Sequence, residues 1–296
     1  MTAGQVDTTY ESYAQDEGYI TANRALVAGI EMGGVARVAD LACGTGLMSR
    51  LLRERAPGLS ICGIDLDPVQ VGLATRDLTA DGAQLAGSLD DWRARPGLIH
   101  LRVASAMELP FGDAEIDLVI IGNAIHMMPD RAAFLAEVAR VLRPGGQLVF
   151  NSVFYAGTFA TGTESIFTEC MKEAVIALNE MNAARRAAGE PPIPRKRGTT
   201  ARAFQQTDWL TQDGWADAVQ AGGALRVVAA GQREMIISQS ALEAIGSYGG
   251  LAEVLMSGYP VEIASQCMQT GIARAFAALG IAGVARNWLE MRAIRR

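Results

Sequence analysis

The chain has 296 residues, half of them hydrophobic and one fifth charged, which is ample material for an α/β core carrying insertions. Its formal net charge of −6 argues against nonspecific binding to nucleic acid or to an anionic membrane. No run approaches the roughly 18 uncharged apolar residues of a membrane helix, and the opening "MTAGQVDTTYESYAQDEG" is polar and acidic rather than basic and then apolar. A cytoplasmic protein acting on a small molecule or a protein is the expectation. Cys43, Cys62, Cys170 and Cys267 lie far apart and read as reduced, mostly buried thiols. With two histidines, His100 and His126, a histidine-rich metal centre is set aside and no metal site is expected.

In chain order, short apolar runs alternate with helical periodicity through the first half, as in a parallel sheet covered by helices. Strands are predicted near 36–41, 60–65, 98–103, 116–122 and 146–153, with helices near 21–31, 46–55, 68–79 and 131–142. The segment 80–97 reads as an extension of the helix before it, and "RPGGQ" at 143–147 as the stop and turn before the fifth strand. From Thr163 the spacing of Phe167, Met171, Ala174, Val175, Leu178 and Met181 predicts one long amphipathic helix ending at Gly189, before the basic turn "EPPIPRKRG". A helix around 212–221, a strand at 224–238, a helical stretch broken at 249–250 and 258–260, and a last strand at 284–294 complete the pattern. The whole reads as a single domain. Its core is 20–155 with 210–240 and 283–296, and a cap or lid comes from 1–19, 156–210 and 240–282.

The stretch "VADLACGTGLMSRLL" at 38–52 places Gly44 and Gly46 in a turn between the first strand and a helix. Such a turn lets backbone approach a ligand, while the following helix offers unpaired N–H groups. Asp65 ends the next strand, 21 residues after Gly44. A carboxylate there can accept both hydroxyls of a ribose, so the pair suggests an adenosine-containing cofactor. The dinucleotide fingerprint wants a third glycine where this chain has Ser49, and no Y-x-x-x-K is present. By these residues alone the turn could hold a phosphate, an adenosine, or only its own backbone.

The ordered set "DLACGTG" (40–46), "GIDLDP" (63–68), "ASAMELPFGDAEIDLVI" (104–120) and "EVARVLRPGGQLVF" (137–150) closely resembles the class I S-adenosylmethionine-dependent methyltransferases, in their small-molecule UbiE/type-11 branch. The resemblance covers about 36–153. It implies a Rossmann-like, doubly wound, seven-stranded sheet with the last strand antiparallel, binding S-adenosylmethionine and releasing S-adenosylhomocysteine. On this resemblance Asp40, Ala42, Gly44 and Gly46 frame the methionine part, Asp65 holds the ribose and Leu66 packs on the adenine. Where many members place an aspartate on the adenine amino group, this chain has Ser105, so that contact passes to Ser105 or to the backbone of Ala106 and Met107. Asn123 follows the fourth strand beneath the methionine. Tyr10 and Tyr13 sit in a segment that members fold over the cofactor, and Tyr13 is also a catalytic candidate.

Sulfonium methyl transfer needs alignment and exclusion of water more than a catalytic side chain. His126, just past the fourth strand, is the candidate base, while His100 at a strand's start reads as structural. The methionines 171, 181, 256 and 268, with Phe167, Leu178, Leu242, Ile245 and Leu255, suit either plain core or a pocket for a hydrophobic acceptor methylated at O, C or N. Arg195, Lys196 and Arg197 are either a solvated loop or a seat for an anionic group or an acidic carrier protein. Two alternatives remain. One is an NAD(P)-dependent oxidoreductase; the other is a methyltransferase fold that uses its cofactor only structurally, as a cyclase or an interaction module.

Overall fold

A computed structural model describes residues 11–196, 209–249, 252 and 255–296. The chain divides into two compact units. One holds residues 20–158, 209–233 and 287–296; the other holds the described parts of 1–19, 159–208 and 234–286.

The first unit is built on a seven-stranded sheet: β1 (Arg37–Leu41), β2 (Ser60–Asp65), β3 (Ile99–Val103), β4 (Ile116–Gly122), β5 (Leu142–Ser152), β6 (Leu225–Ser238) and β7 (Gly283–Arg295). Their order is β3-β2-β1-β4-β5-β7-β6. The strands β1 to β5 pair in parallel, and β7 runs antiparallel to β5, with Phe150 opposite Met291. The parallel strands are apolar on both faces because helices cover both, so Val38, Leu41, Ile61, Ile64, Leu118, Val119 and Phe150 are all fully buried.

Helices begin within a residue of the expected positions at 46, 68 and 131, whereas the one expected near 21–31 starts at Glu17. The helix α1 (Glu11–Ala14) is a single turn and belongs to the other unit; α2 spans Glu17–Ala28. Helix α3 (Leu47–Arg55) starts directly at Gly46, and α4 (Pro68–Ala80) has proline at its first position and Asp67 as a cap, accepting from the Val69 amide across 2.8 Å. In α6 (Arg131–Val141) Asp130 plays the same part toward Ala133.

Two expectations are corrected. Residues 80–97 do not extend α4: the helix stops at Asp81, Gly82 takes φ +74°, Leu85 bridges to Ile99, and a separate α5 (Leu89–Ala94) starts under a Ser88 cap. The "RPGGQ" segment does not precede the fifth strand but lies inside it. There Gly145, at φ +78°, lets the strand shift register against β4 between Ile116 and Leu118.

The second unit is mainly helical: α7 (Glu164–Ala187), α9 (Gln239–Ser247) and α10 (Val261–Leu279), while α8 (Gln212–Gln220) belongs with the sheet. Its core contains Ala174, Leu178, Ile193, Met256, Cys267 and Met268, with Met171 and Met181 packed against them. Small residues set the spacing of α7 and α10. A Cβ at Gly271 would lie 2.5 Å from the Ala174 amide and the Cys170 carbonyl, so only glycine admits this approach. The methionine stripe is therefore the unit's own packing.

Candidate cofactor site

The sheet order reverses direction between β1 and β4, the place where open α/β sheets bind ligands beyond their strand C-terminal ends. The backbone is strained on both sides of that crevice. Ala42, one residue past β1, has φ +52°, and Asn123, one residue past β4, has φ +53°. Left-handed backbone costs a residue with a Cβ about 1–2 kcal/mol, and such strain gathers at ligand sites.

The turn after β1 is held by Asp65 at the end of β2. Its Oδ2 accepts from the Gly44 amide (2.8 Å) and its Oδ1 from the Asp67 amide (2.9 Å). Each carboxylate oxygen carries two lone pairs, so one on each oxygen is left for a vicinal diol. Gly44 and Gly46 both have positive φ, and a Cβ on Gly46 would press Leu78 and Ala74 at 3.1 and 3.2 Å. The next residue, Leu66, exposes 74% of its surface, an apolar face beside the diol-ready carboxylate.

Asp40 is wholly buried. Its Oδ2 accepts from both the amide (3.0 Å) and the hydroxyl (2.7 Å) of Ser49, whereas Oδ1 has no hydrogen-bond partner. Burial pushes this carboxyl up to about 7, against the opposing pull of the two Ser49 bonds. A desolvated carboxylate with one empty oxygen is suited to receive a cationic group. Ser49 is the residue that the sequence reading missed. It stands where a third glycine would be expected, and its role is legible only once it is seen to face Asp40 on the first turns of α3.

The other expected residues fall as follows. Ser105, Ala106 and Met107 are half-buried past β3, and the Ser105 hydroxyl accepts from the Met107 amide (3.1 Å), so that amide is already engaged. Asn123 is buried and acts as a bracket: its amide donates to Asn151 Oδ1 (2.8 Å), its own Oδ1 accepts from Val153 (2.9 Å), and Asn151 donates to Asn23 (2.8 Å). His126 lies in a short turn past β4 with its ring stacked on Phe154, centroids 4.0 Å apart, and burial pulls its pKa down to about 3.

Tyr13 is buried in the helical unit with its ring 4.7 Å from that of Tyr19, and burial raises its hydroxyl pKa. Tyr10 and Arg197 lie outside the described residues. Arg195 is occupied within the helical unit, over the Tyr259 ring and donating to the Ser257 carbonyl.

The later blocks are chiefly structural. Glu137 accepts from the Leu109 amide (2.7 Å), and Arg140 donates to the Phe111 carbonyl (2.9 Å) while pairing with Glu137 and Asp113, so "EVAR" fastens "ELPFGD". Asp117 pairs with Arg143 and accepts from the Ala36 and Arg37 amides, fixing the start of β1. Among the described residues no group of histidine, cysteine and carboxylate side chains is placed to hold a metal ion, and no helix is long and apolar enough to cross a membrane.

The family model described as "Methyltransferase domain" matches residues 39–150, the stretch from β1 through β5 that builds this site. Over these residues the chain is similar to methyltransferase domains. A demethylmenaquinone methyltransferase of Thermus thermophilus is 35% identical to it over 113 residues, 38% of this chain and 45% of that protein. A 27-O-demethylrifamycin SV methyltransferase of Amycolatopsis mediterranei is 33% identical over 163 residues, 53% and 54% of the two chains. The chain thus spans about half the length of the curated relatives it matches. The fold is shared with a solved structure from Galdieria sulphuraria described as a sarcosine dimethylglycine methyltransferase. That match has a TM-score of 0.53 and 18% identity, and covers 93% of this chain and 85% of the other. The chain therefore has the seven-stranded sheet with an antiparallel last strand that its motifs imply.

Proposed function

We propose that this chain transfers a methyl group from S-adenosylmethionine to a hydrophobic small-molecule acceptor. The observation that carries the reading is the Asp65 carboxylate, which is fixed by the Gly44 and Asp67 amides and keeps a lone pair on each oxygen for a ribose diol. The partnerless Asp40 Oδ1 adds a place for an ammonium group, and exposed Leu66 adds an apolar face for a purine. The residues present therefore fit the cofactor.

When bound, S-adenosylmethionine supplies a methyl group already activated by a sulfonium charge. Asp65, Asp40 and the turn 42–46 hold the ligand's two ends, and the amides of Asp65's partners set the carboxylate's direction before any ligand arrives. Aligning two reactants in this way is worth roughly 10⁵–10⁸ M in effective concentration, so no side chain has to act as nucleophile. The relatives named above, one for demethylmenaquinone and one for demethylrifamycin, support a small-molecule acceptor. Calorimetric titration with S-adenosylhomocysteine and with NAD(P) tests the reading. Heat of binding is expected with the first, and binding of the nicotinamide cofactor alone overturns it. Transfer of labelled methyl from S-adenosylmethionine into fractionated host metabolites then identifies the acceptor by mass.

A further inference from the structure

His126 reads in the sequence as a general base, and its surroundings bear on which ring nitrogen holds the proton. Gly122 at the end of β4 pairs with Asn151 of β5, so the turn Ile125–Met127 and the strand end at Ser152 and Phe154 meet at one edge of the sheet. Ser152 is fully buried. Its Oγ accepts from the Phe154 amide (3.0 Å) and faces His126 Nδ1 across 3.5 Å. A backbone N–H can only donate, so the serine's own proton needs a second partner. Among the described residues that partner is Nδ1.

A buried hydroxyl proton left unpaired costs about 1–3 kcal/mol, and the serine avoids this only if Nδ1 carries no proton. Burial keeps the ring neutral at ordinary pH, so its single proton sits on Nε2. Among the described residues Nε2 has no hydrogen-bond partner. The ring is held flat by Phe154, stacked at 29°, which Trp209 meets edge-on at 86° with centroids 5.9 Å apart. Phe154 and Trp209 are each half-buried, and neighbouring Met127 is 62% exposed. The result is a partly open aromatic and apolar shelf that includes the His126 ring.

We propose that His126 is a hydrogen-bond donor through Nε2–H to the oxyanion of a flat ring acceptor, a phenol, enol or hydroquinone bound as its conjugate base. The acceptor loses its proton to solvent, and the donor stabilises the oxygen anion that remains, so the protein supplies no base. A charge-assisted bond in a partly desolvated site has the strength to select the ionised form. The substrate half of this proposal rests on the methyltransferase reading; the tautomer does not.

The test uses the full chain. Nitrogen-15 chemical shifts of the two histidines, assigned with a His100→Gln variant, report which ring nitrogen of His126 carries the proton. A protonated Nε2 and a bare Nδ1 are expected from pH 6 to 9, and Ser152→Ala should release the lock and populate both tautomers. The probe ligand is 2-naphthol, whose absorbance distinguishes phenol from phenolate. Wild type should bind naphtholate and lower the apparent pKa of the bound probe. His126→Leu should weaken naphtholate binding roughly tenfold to hundredfold, while His126→Gln, which keeps a donor, should retain most of it.

A proton on Nδ1, no binding of naphtholate by wild type, or equal binding by His126→Leu overturns the proposal. Loss of S-adenosylhomocysteine binding with the tautomer and naphtholate results intact would instead sink the methyltransferase reading alone.

Discussion

The Asp65 carboxylate accepts the Gly44 amide across 2.8 Å, so the residue that ends β2 builds the turn that follows β1. Asp65→Ala removes an acceptor from two backbone amides and from any bound diol. Hydrogen bonds to a charged group contribute roughly 1.5–3 kcal/mol each. The variant should melt at lower temperature and bind S-adenosylhomocysteine about tenfold to 150-fold more weakly in calorimetry. Unchanged affinity would remove Asp65 from the ribose site.

Asp40 gives the site a pH signature. Its carboxyl is raised by burial from the usual 3.8 to about 7 in the folded chain. Between those values the folded state holds a proton that the unfolded state has released. Stability from this group is fully present below the lower value and is lost as pH rises through the upper one. The melting temperature of wild type minus that of Asp40→Asn should therefore decline from pH 4 to pH 7.5. Saturating S-adenosylhomocysteine, with its ammonium group, should flatten the decline by favouring the carboxylate. A slope that is the same in both proteins would place the titration elsewhere.

Gly46→Ala meets two obstacles, a φ of +84° and side chains of Leu78 and Ala74 at 3.1 and 3.2 Å. Left-handed strain alone costs about 1–2 kcal/mol, and denaturant unfolding should show at least that loss. Gly58→Ala, with no positive φ and nothing within 4 Å of its new Cβ, is the control and should change stability little.

In the helical unit, Gly271→Val forces atoms into the Ala174 and Cys170 backbone of α7. Overpacking of this kind costs about 1–3 kcal/mol or more. The four tryptophans, at 92, 209, 215 and 288, all lie in the sheet unit. In the variant, helix content by circular dichroism should therefore be lost at lower urea than tryptophan fluorescence changes. Coincident transitions would show that the glycine's crowding is relieved without loss of helix.

Periodicity and turn chemistry made the strands legible, because a parallel strand is a short apolar run bounded by glycine, proline or aspartate. The segment 80–97 resembles one continuous helix in sequence because its helical pattern resumes after the break. Gly82 at φ +74° and the Ser88 cap were the available signals. At the site, Gly44, Gly46 and Asp65 announce themselves by residue type and spacing. Ser49, Asn23 and Asn151 do not, since each acts through a partner on another element that only the fold brings near. His126 stands out by its place after β4, whereas its neighbour Ser152, 26 residues away, does not.

The chain of amides from Asn23 through Asn151 to Asn123 links α2, β5 and the residue past β4 with groups that never ionise. No proton is gained or lost within that bracket as pH changes. A pH-dependent change at the site is then to be sought in its carboxylates, Asp40 first among them, rather than in this amide bracket.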